Sequence, residues 1–315
     1  MKISQVANKY ITLKQSMGAR FNAEAAILKA FSKAVGDIAI ENITDDQVHD
    51  YFAGTGPITR FWHRKHDALK GFYRFAIGRG YVSSSPLPTV IPKSPQTFSP
   101  YIFSHDELRC LLNKAGAYGN NRTKILPQTL HSLILLIYGA GLRIGEALSL
   151  TKADVDLHEA LILIRESKFY KTRMLPIGSL LVENLTFYEK VRRNLCHSEK
   201  PDTTFFISRT GDPVSRQMTE RTFRCLCEVA DIHRDDGARY QPRLHDLRHT
   251  FAVHRLTQWY RQGANVQRLL PLLSTYLGHS NIVATQRYLT MTPELLHQAN
   301  IRFENYAQKE MNHES

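Results

Sequence analysis

Residues 83–101 read SSSPLPTVIPKSPQTFSPY, with five prolines and five serines in the span. Proline lacks the amide donor and pushes the residue before it out of the helical region. A run broken by proline every few residues therefore carries neither a helix nor a central strand, and it reads as an extended linker. The 315 residues must then fold as two bodies, which suits that length. We set the boundaries at 1–90 for a helical first domain, 91–104 for the linker, 105–300 for a second domain and 301–315 for a tail.

The first body has a helical pattern and little strand pattern. Phe21, Ala25, Ile27, Leu28, Phe31 and Val35 recur close to helical period. Thr44, followed by Asp45 and Asp46, is a capped start for a second helix over 42–52. A third helix is expected over 58–77, stopped by Gly78 and Gly80. Residues 1–95 hold 13 Lys+Arg against 7 Asp+Glu, and the whole excess lies beyond residue 56. It falls on Arg60, Arg64, Lys65, Lys70, Arg74, Arg79 and Lys93, interleaved with Phe61, Trp62, Phe72, Tyr73 and Phe75. We read the aromatics as core and the basic face, Arg60, Arg64, Lys65, Lys70 and Arg74, as a DNA-backbone contact.

Beyond the linker, Ser104 with Glu107 three residues on forms a capping box for a helix. Residues 130–138 predict a buried apolar helix, and a new one starts at Arg143 after Gly139-Ala140-Gly141. Residues 160–165 and 172–177 predict a β-hairpin turning over 167–171, and 202–208 has strand character. Helices are expected over 219–229 and 247–260, then a polar–apolar helix and ragged tail over 293–315. The fold class is mainly α within α+β: a helical domain, then a mixed domain with a small antiparallel sheet.

A formal net charge of +12 with pI about 9.5 points to a polyanionic partner, nucleic acid first. The N-terminus MKISQVANKY has no apolar targeting core, and the longest apolar run, 133–142, is too short to cross a bilayer. Cys110, Cys196, Cys225 and Cys227 lack zinc-site spacing and read as reduced core residues of a cytoplasmic protein without a membrane partner.

Three dense stretches carry the chemistry: GAGLRIGEALSL (139–150), RLHDLRHTFA (243–252) and LGHSNIVATQRYL (277–289). Breaking a phosphodiester without a metal needs a nucleophile, cations for the developing charge and a proton for the leaving oxygen. Arginine suits the second task, because its planar fork meets two phosphate oxygens and stays charged. His245 and Arg248 stand three apart, on one helix face. Glu146 can orient a neighbouring cation. His249, Trp62 and Trp259 read as structural.

The ordered set Arg143, Lys168, His245, Arg248, His279 and Tyr288 resembles the tyrosine recombinases, the phage-integrase family. The resemblance runs over about 105–300 through motifs and reaches the first domain only by layout, which is similar to that family's core-binding (SAM-like) domain. It implies that Arg143 and Arg248 clamp the scissile phosphate and that Lys168 protonates the leaving 5′-oxygen. It also implies that His245 assists proton movement at the nucleophile or hydrogen-bonds the phosphate, that His279 bonds the phosphate, and that Tyr288 forms a 3′-phosphotyrosine. The cations are expected to ease ionisation of the phenol. Lys168 is followed by Phe169-Tyr170-Lys171 where the family often has Lys-Gly, so Lys171 stays a rival for the acid.

The resemblance implies a site-specific recombinase or integrase of a mobile element or phage, acting on double-stranded DNA. It implies a tetramer when two duplexes are joined, a monomer or dimer otherwise, and neither cofactor nor metal. A topoisomerase of the same chemistry and a non-catalytic DNA-binding protein on the same fold are the alternatives. A metal-dependent nuclease would need clustered carboxylates. Asp154 with Asp156, and Asp235 with Asp236, pair with none of the three stretches.

Overall fold

A computed structural model describes all residues except 54–57, 95–98, 120–123, 166–171, 196–199, 239, 280 and 314–315, and the backbone alone for 302 and 305–313. The chain divides into two compact units, Met1–Phe98 and Ser99–Ser315.

The first unit packs α1 (Ile3–Ser16), α2 (Asn22–Ala34), α3 (Asp45–Phe52) and α4 (Arg60–Gly78) around one apolar core. Thr44 caps α3 with a reciprocal bond to Gln47. Helix α4 presents Leu69, Phe72, Tyr73 and Ala76 to that core. Arg60, Arg64, Lys70 and Arg74 are exposed, and helical spacing puts them on the face opposite the buried residues. Lys65 departs from that stripe. Its Nζ bonds the Tyr51 carbonyl at 2.9 Å and lies over the Tyr51 ring. Phe61 is exposed and not core, because its position falls between the buried stripe and the basic face.

The start of the linker folds back, with Leu87 packed on the first unit's core. Its far end is held by the second unit, where Phe103 is fully buried and its backbone N–H donates to Thr250 Oγ1 at 3.1 Å. The polar segment 231–241 also has a visible task there. Arg234 makes a forked pair with Asp236, donates to the Ser99 carbonyl at 2.8 Å and lies over the Tyr101 ring.

In the second unit, α5 (His105–Gly116) starts at the Ser104–Glu107 capping box and packs on α6 (Pro127–Gly139). Helix α6 is apolar on most of its surface because it is a central helix, packed also against α8 (Ser179–Arg193) and α10 (Asp246–Arg261). Short α7 (Ile144–Ser149) leads to β1 (Val155–Asp156), β2 (Leu161–Ile164) and β3 (Arg173–Pro176), an antiparallel sheet in the order β1-β2-β3. Ile162 and Leu175 are cross-strand partners, both buried.

The strand expected over 202–208 does not form. Phe205, Phe206 and Ile207 are all buried, which gives the run its apolar look. Its backbone is tied partly to neighbouring loops, with the Phe205 amide donating to Leu150 O at 2.7 Å and the Lys152 amide to Thr203 O at 3.0 Å. Side chains take other groups: Arg192 donates to the carbonyls of Thr204 and Phe205, and Tyr188 Oη accepts from the Ile207 amide. Among the described residues the run pairs through isolated bridges, Thr151 with Thr204 and Ile207 with Pro213.

Helices α9 (Arg216–Val229), α11 (Val266–Leu277), α12 (Val283–Gln286), a 3₁₀ turn (Arg287–Thr290) and α13 (Pro293–His313) complete the unit. Helix α10 packs against α11, α13 and the 3₁₀ turn. The boundary expected at 300 falls inside α13, whose first turn anchors the rest through fully buried Leu295. Cys227 is buried, Cys110 and Cys225 are half-buried, and Cys196 lies outside the described residues. Among the described residues no helix is long and apolar enough to cross a membrane.

Gly141 ends the turn between α6 and α7 with φ of 60°, and a Cβ there would stand 2.5 Å from the Phe251 ring. Strained backbone and an overfilled core act together. Gly141→Ala should therefore lower the second unit's stability by about 2–4 kcal/mol, measured as a shift of its urea midpoint.

Candidate active site

Four local structures deliver the polar side chains to one place. Gly141 turns the chain after α6, so that Arg143 becomes the N-cap of α7. His245 stands at the N-cap position of α10, which puts Arg248 and His249 in its first turn. Gly278 ends α11 in the left-handed region with φ of 66°, and His279 follows. Tyr288 sits in the 3₁₀ turn.

The C-terminal end of α11 joins these pieces. Its last carbonyls have no helical partner and carry the negative end of the helix dipole. Three arginines take three successive ones: Arg173 Nε donates to Tyr276 O at 3.0 Å, Arg248 Nη2 to Leu277 O at 2.6 Å and Arg143 Nη2 to Gly278 O at 2.9 Å. Arg248 also donates to Gly141 O at 2.6 Å, tying the α6–α7 turn to the same point.

Glu146 is the carboxylate among them. It accepts from the Arg143 guanidinium at 2.7 Å and backbone at 3.0 Å, and from Arg173 at 2.8 and 3.2 Å. Burial alone would raise its pKa, but the hydrogen bonds and charge of Arg173, then those of Arg143, hold it down at about 2. Three guanidiniums against this one carboxylate leave an excess of positive charge in a buried place. Arg248 is 2% exposed. Burial first, then the charge of Arg143, pull its pKa down to about 10. The Arg143 side chain remains 30% exposed and open to a ligand.

The Tyr288 side chain is buried beside these cations. Its Oη lies 3.1 Å from Nδ1 of His249, and the His279 ring stacks on it with centroids 6.1 Å apart. His279 Nδ1 is engaged with the Thr285 hydroxyl at 2.7 Å, which leaves its Nε2 edge to meet a ligand. The expected easing of phenol ionisation is not found within the protein alone. Burial raises the Tyr288 pKa and outweighs Arg248, which lowers it by charge and hydrogen bonding, and the more distant Arg143 and Arg287.

The histidines are held neutral. His245 is lowered to about 4 by burial, then by Arg248, Arg243, Arg143 and Arg216. His279 is lowered to about 4 by burial, then by Arg248, Arg143 and Arg173.

The structure thus brings together Arg143, Glu146, His245, Arg248, His279 and Tyr288. Lys168 and its rival Lys171 lie outside the described residues, between β2 and β3. Two side chains in the cluster were not singled out from the sequence. Arg173 is half of the Glu146 clamp, and its only signal was its position on the expected second hairpin strand. His249, read as structural, touches the phenol. Among the described residues no group of three His, Cys, Asp or Glu side chains could hold a metal ion.

The arrangement can bind an oxyanion beside a tyrosine oxygen. The family model described as the phage integrase family matches residues 102–294. A putative integrase/recombinase, y4rE, of Sinorhizobium fredii is 33% identical over 93% of both chains. Tyrosine recombinase XerC of Chlorobaculum parvum is 30% identical over 73% of this chain and 68% of its own. The integrase of transposon Tn1549, solved with transposon right end DNA, superposes with a TM-score of 0.71 over 98% of this chain and all of the other, at 17% identity. A lambda integrase dimer bound to a core site gives 0.63 over 93% of this chain and 97% of the other, at 16% identity.

The lowered histidine values set the sign of a pH dependence. The unfolded chain protonates these rings near pH 6.5, before the folded protein does, so the stability they contribute is complete above 6.5 and lost as pH falls toward 4. Urea unfolding from pH 7.5 to 4.5 should show stability falling, with a slope of about 1.4 kcal/mol per pH unit for each proton taken up. His245→Gln should flatten that slope.

Proposed function

The chain belongs to the phage integrase family of tyrosine recombinases, and from that membership we propose that it is a site-specific DNA strand transferase in which Tyr288 is the nucleophile. The observation that carries the reading is the buried phenol of Tyr288 beside Arg248 and Arg143, whose charge is only partly matched by Glu146. A phosphodiester supplies the missing negative charge.

Arg143 and Arg248 hold the non-bridging oxygens, which places the phosphorus near the phenol and offsets the charge of the pentacoordinate transition state. Tyr288 Oη attacks phosphorus, the P–O5′ bond breaks and a 3′-phosphotyrosine forms. Lys168, or Lys171 in its stead, gives the leaving oxygen its proton. His279 donates from Nε2 to a phosphate oxygen. His245 serves proton movement or the phosphate, and Glu146 orients Arg143. Because ester is exchanged for ester, rejoining needs no external energy source. No step here calls for a metal, and the reaction should proceed in EDTA.

The first unit is the DNA-holding domain, with Arg60, Arg64, Lys70 and Arg74 of α4 on the backbone and Lys65 shaping the surface beside them. Double-stranded DNA and further copies of the chain are its partners, four protomers assembling when two duplexes are joined. The relative named as a putative integrase/recombinase, and the transposon integrase whose fold this chain shares, support a mobile element as its setting. Its place of work is the cytoplasm, where such an element's DNA lies.

The target sequence can be found with the enzyme itself, by incubating it with nicked duplexes of randomised core and recovering those that become covalently attached. Wild-type protein should yield adducts in EDTA. Tyr288→Phe should yield none while retaining DNA binding, and Arg143→Lys should slow adduct formation by about 10²–10³-fold. DNA binding without adduct from the wild type would leave a binding protein on this fold. Deleting residues 300–315 should preserve binding and lower recombination between two duplexes, the helix α13 being the element that docks on a neighbouring protomer. Full recombination by the truncated protein would remove that role.

A further inference from the structure

The buried phenol poses a chemical problem. To attack phosphorus, Tyr288 must lose its proton, yet burial outweighs the nearby cations and keeps that proton on. Some group within hydrogen-bond reach must take it. The family resemblance implied that His245 assists proton movement at the nucleophile or hydrogen-bonds the phosphate. In the structure a different ring stands at the phenol. His249 Nδ1 is 3.1 Å from Tyr288 Oη, with ring centroids 5.6 Å apart. His245 packs edge-on against His249, with ring centroids 4.9 Å apart. His279 faces the phenol ring by stacking, and its Nδ1 is occupied by Thr285. The guanidiniums of Arg143 and Arg248 are donors only.

Building on the reading of Tyr288 as nucleophile, we propose that His249 is a further catalytic residue, accepting the Tyr288 proton at Nδ1 during strand cleavage and returning it during rejoining. The neutral ring carries its proton on Nε2 and presents the Nδ1 lone pair to the phenol. As the Oη–P bond forms, the phenolic proton moves to Nδ1. As the P–O5′ bond breaks, the leaving oxygen takes a separate proton from the lysine of the β2–β3 hairpin. Rejoining reverses both transfers, so protons balance over the cycle.

The electrostatics around His249 make this transfer depend on DNA. His245, Arg248, Arg243, His279 and the phenol itself face the ring. Burial first, then His245, Arg248, Arg243 and His279, lower its basicity, to about 3. A scissile phosphate between the arginines cancels part of their field, and the second negative charge of the transition state cancels more. Both changes raise the basicity of the ring at the moment the phenol must lose its proton. Without a phosphate the nucleophile stays protonated and inert.

The test uses full-length protein and a nicked duplex already selected by wild-type adduct formation, so the enzymatic reading is secure before this residue is questioned. His249→Gln keeps a polar side chain without a titrating nitrogen. It should bind the duplex with wild-type affinity and an unchanged melting temperature, while single-turnover cleavage slows by about 10²-fold or more. Its cleavage rate should rise with pH where the wild-type rate is flat. Imidazole should restore part of the rate to His249→Ala. A duplex with sulfur in place of the bridging 5′-oxygen has a leaving group that needs no proton, and it should leave the His249→Gln defect in place. Wild-type rate and pH profile in His249→Gln would overturn the proposal. So would recovery on the sulfur duplex, which would move the residue to the leaving-group side. If His249→Gln fails to fold, His249→Asn and the imidazole series on His249→Ala decide: a rate that imidazole does not raise counts against the transfer.

Discussion

Everything in the catalytic unit converges on the last turn of α11. Three consecutive carbonyls there are each bound by an arginine from a different part of the chain: Arg173 from the sheet, Arg248 from α10 and Arg143 from the α6–α7 turn. A helix C-terminus attracts cations through its dipole and its unpaired carbonyls, so it serves as the template on which they are arranged. Glu146 fixes two of the three in orientation and offsets only part of their charge. Gly278 is required at the pivot. Its backbone is left-handed, and a Cβ there would stand 2.7 Å from the Arg173 guanidinium.

Such a cluster is costly to bury without a counter-charge. A phosphodiester carries one delocalised negative charge and two oxygens suited to guanidinium forks. The same burial that concentrates the cations keeps the Tyr288 phenol protonated and the three histidines around it neutral. The site is therefore strongly polar around an uncharged phenol and uncharged imidazoles.

The three motif stretches were legible because each combines a turn signal with an unusual polar residue. Gly141 before Arg143, the His245–Arg248 spacing and Gly278 before His279 all mark places where the chain stops and exposes a side chain. The hairpin and the helices around them were legible from periodicity and caps such as Thr44 and Ser104. Arg173 was not, since an arginine in an alternating strand looks like a solvated residue until Glu146 is known to lie across from it. His249 was set aside because adjacency to Arg248 along a helix suggests a different face. The 3₁₀ turn carrying Tyr288 reaches that face, a long-range fact with no local signature. The 202–208 run misled because three consecutive buried residues suit a strand, and no pattern announces that Arg192, Tyr188 and the loop at Leu150 and Lys152 will share its backbone bonds.

The central claim is that this cation cluster directs the Tyr288 oxygen onto phosphorus from the 3′ side of the broken bond. The most direct measurement is mass spectrometry of the covalent complex after nuclease and protease digestion. The account predicts one nucleotide-bearing peptide, modified at Tyr288 through a 3′-phosphoryl link. Attachment at another residue, or through a 5′-phosphoryl group, would contradict it.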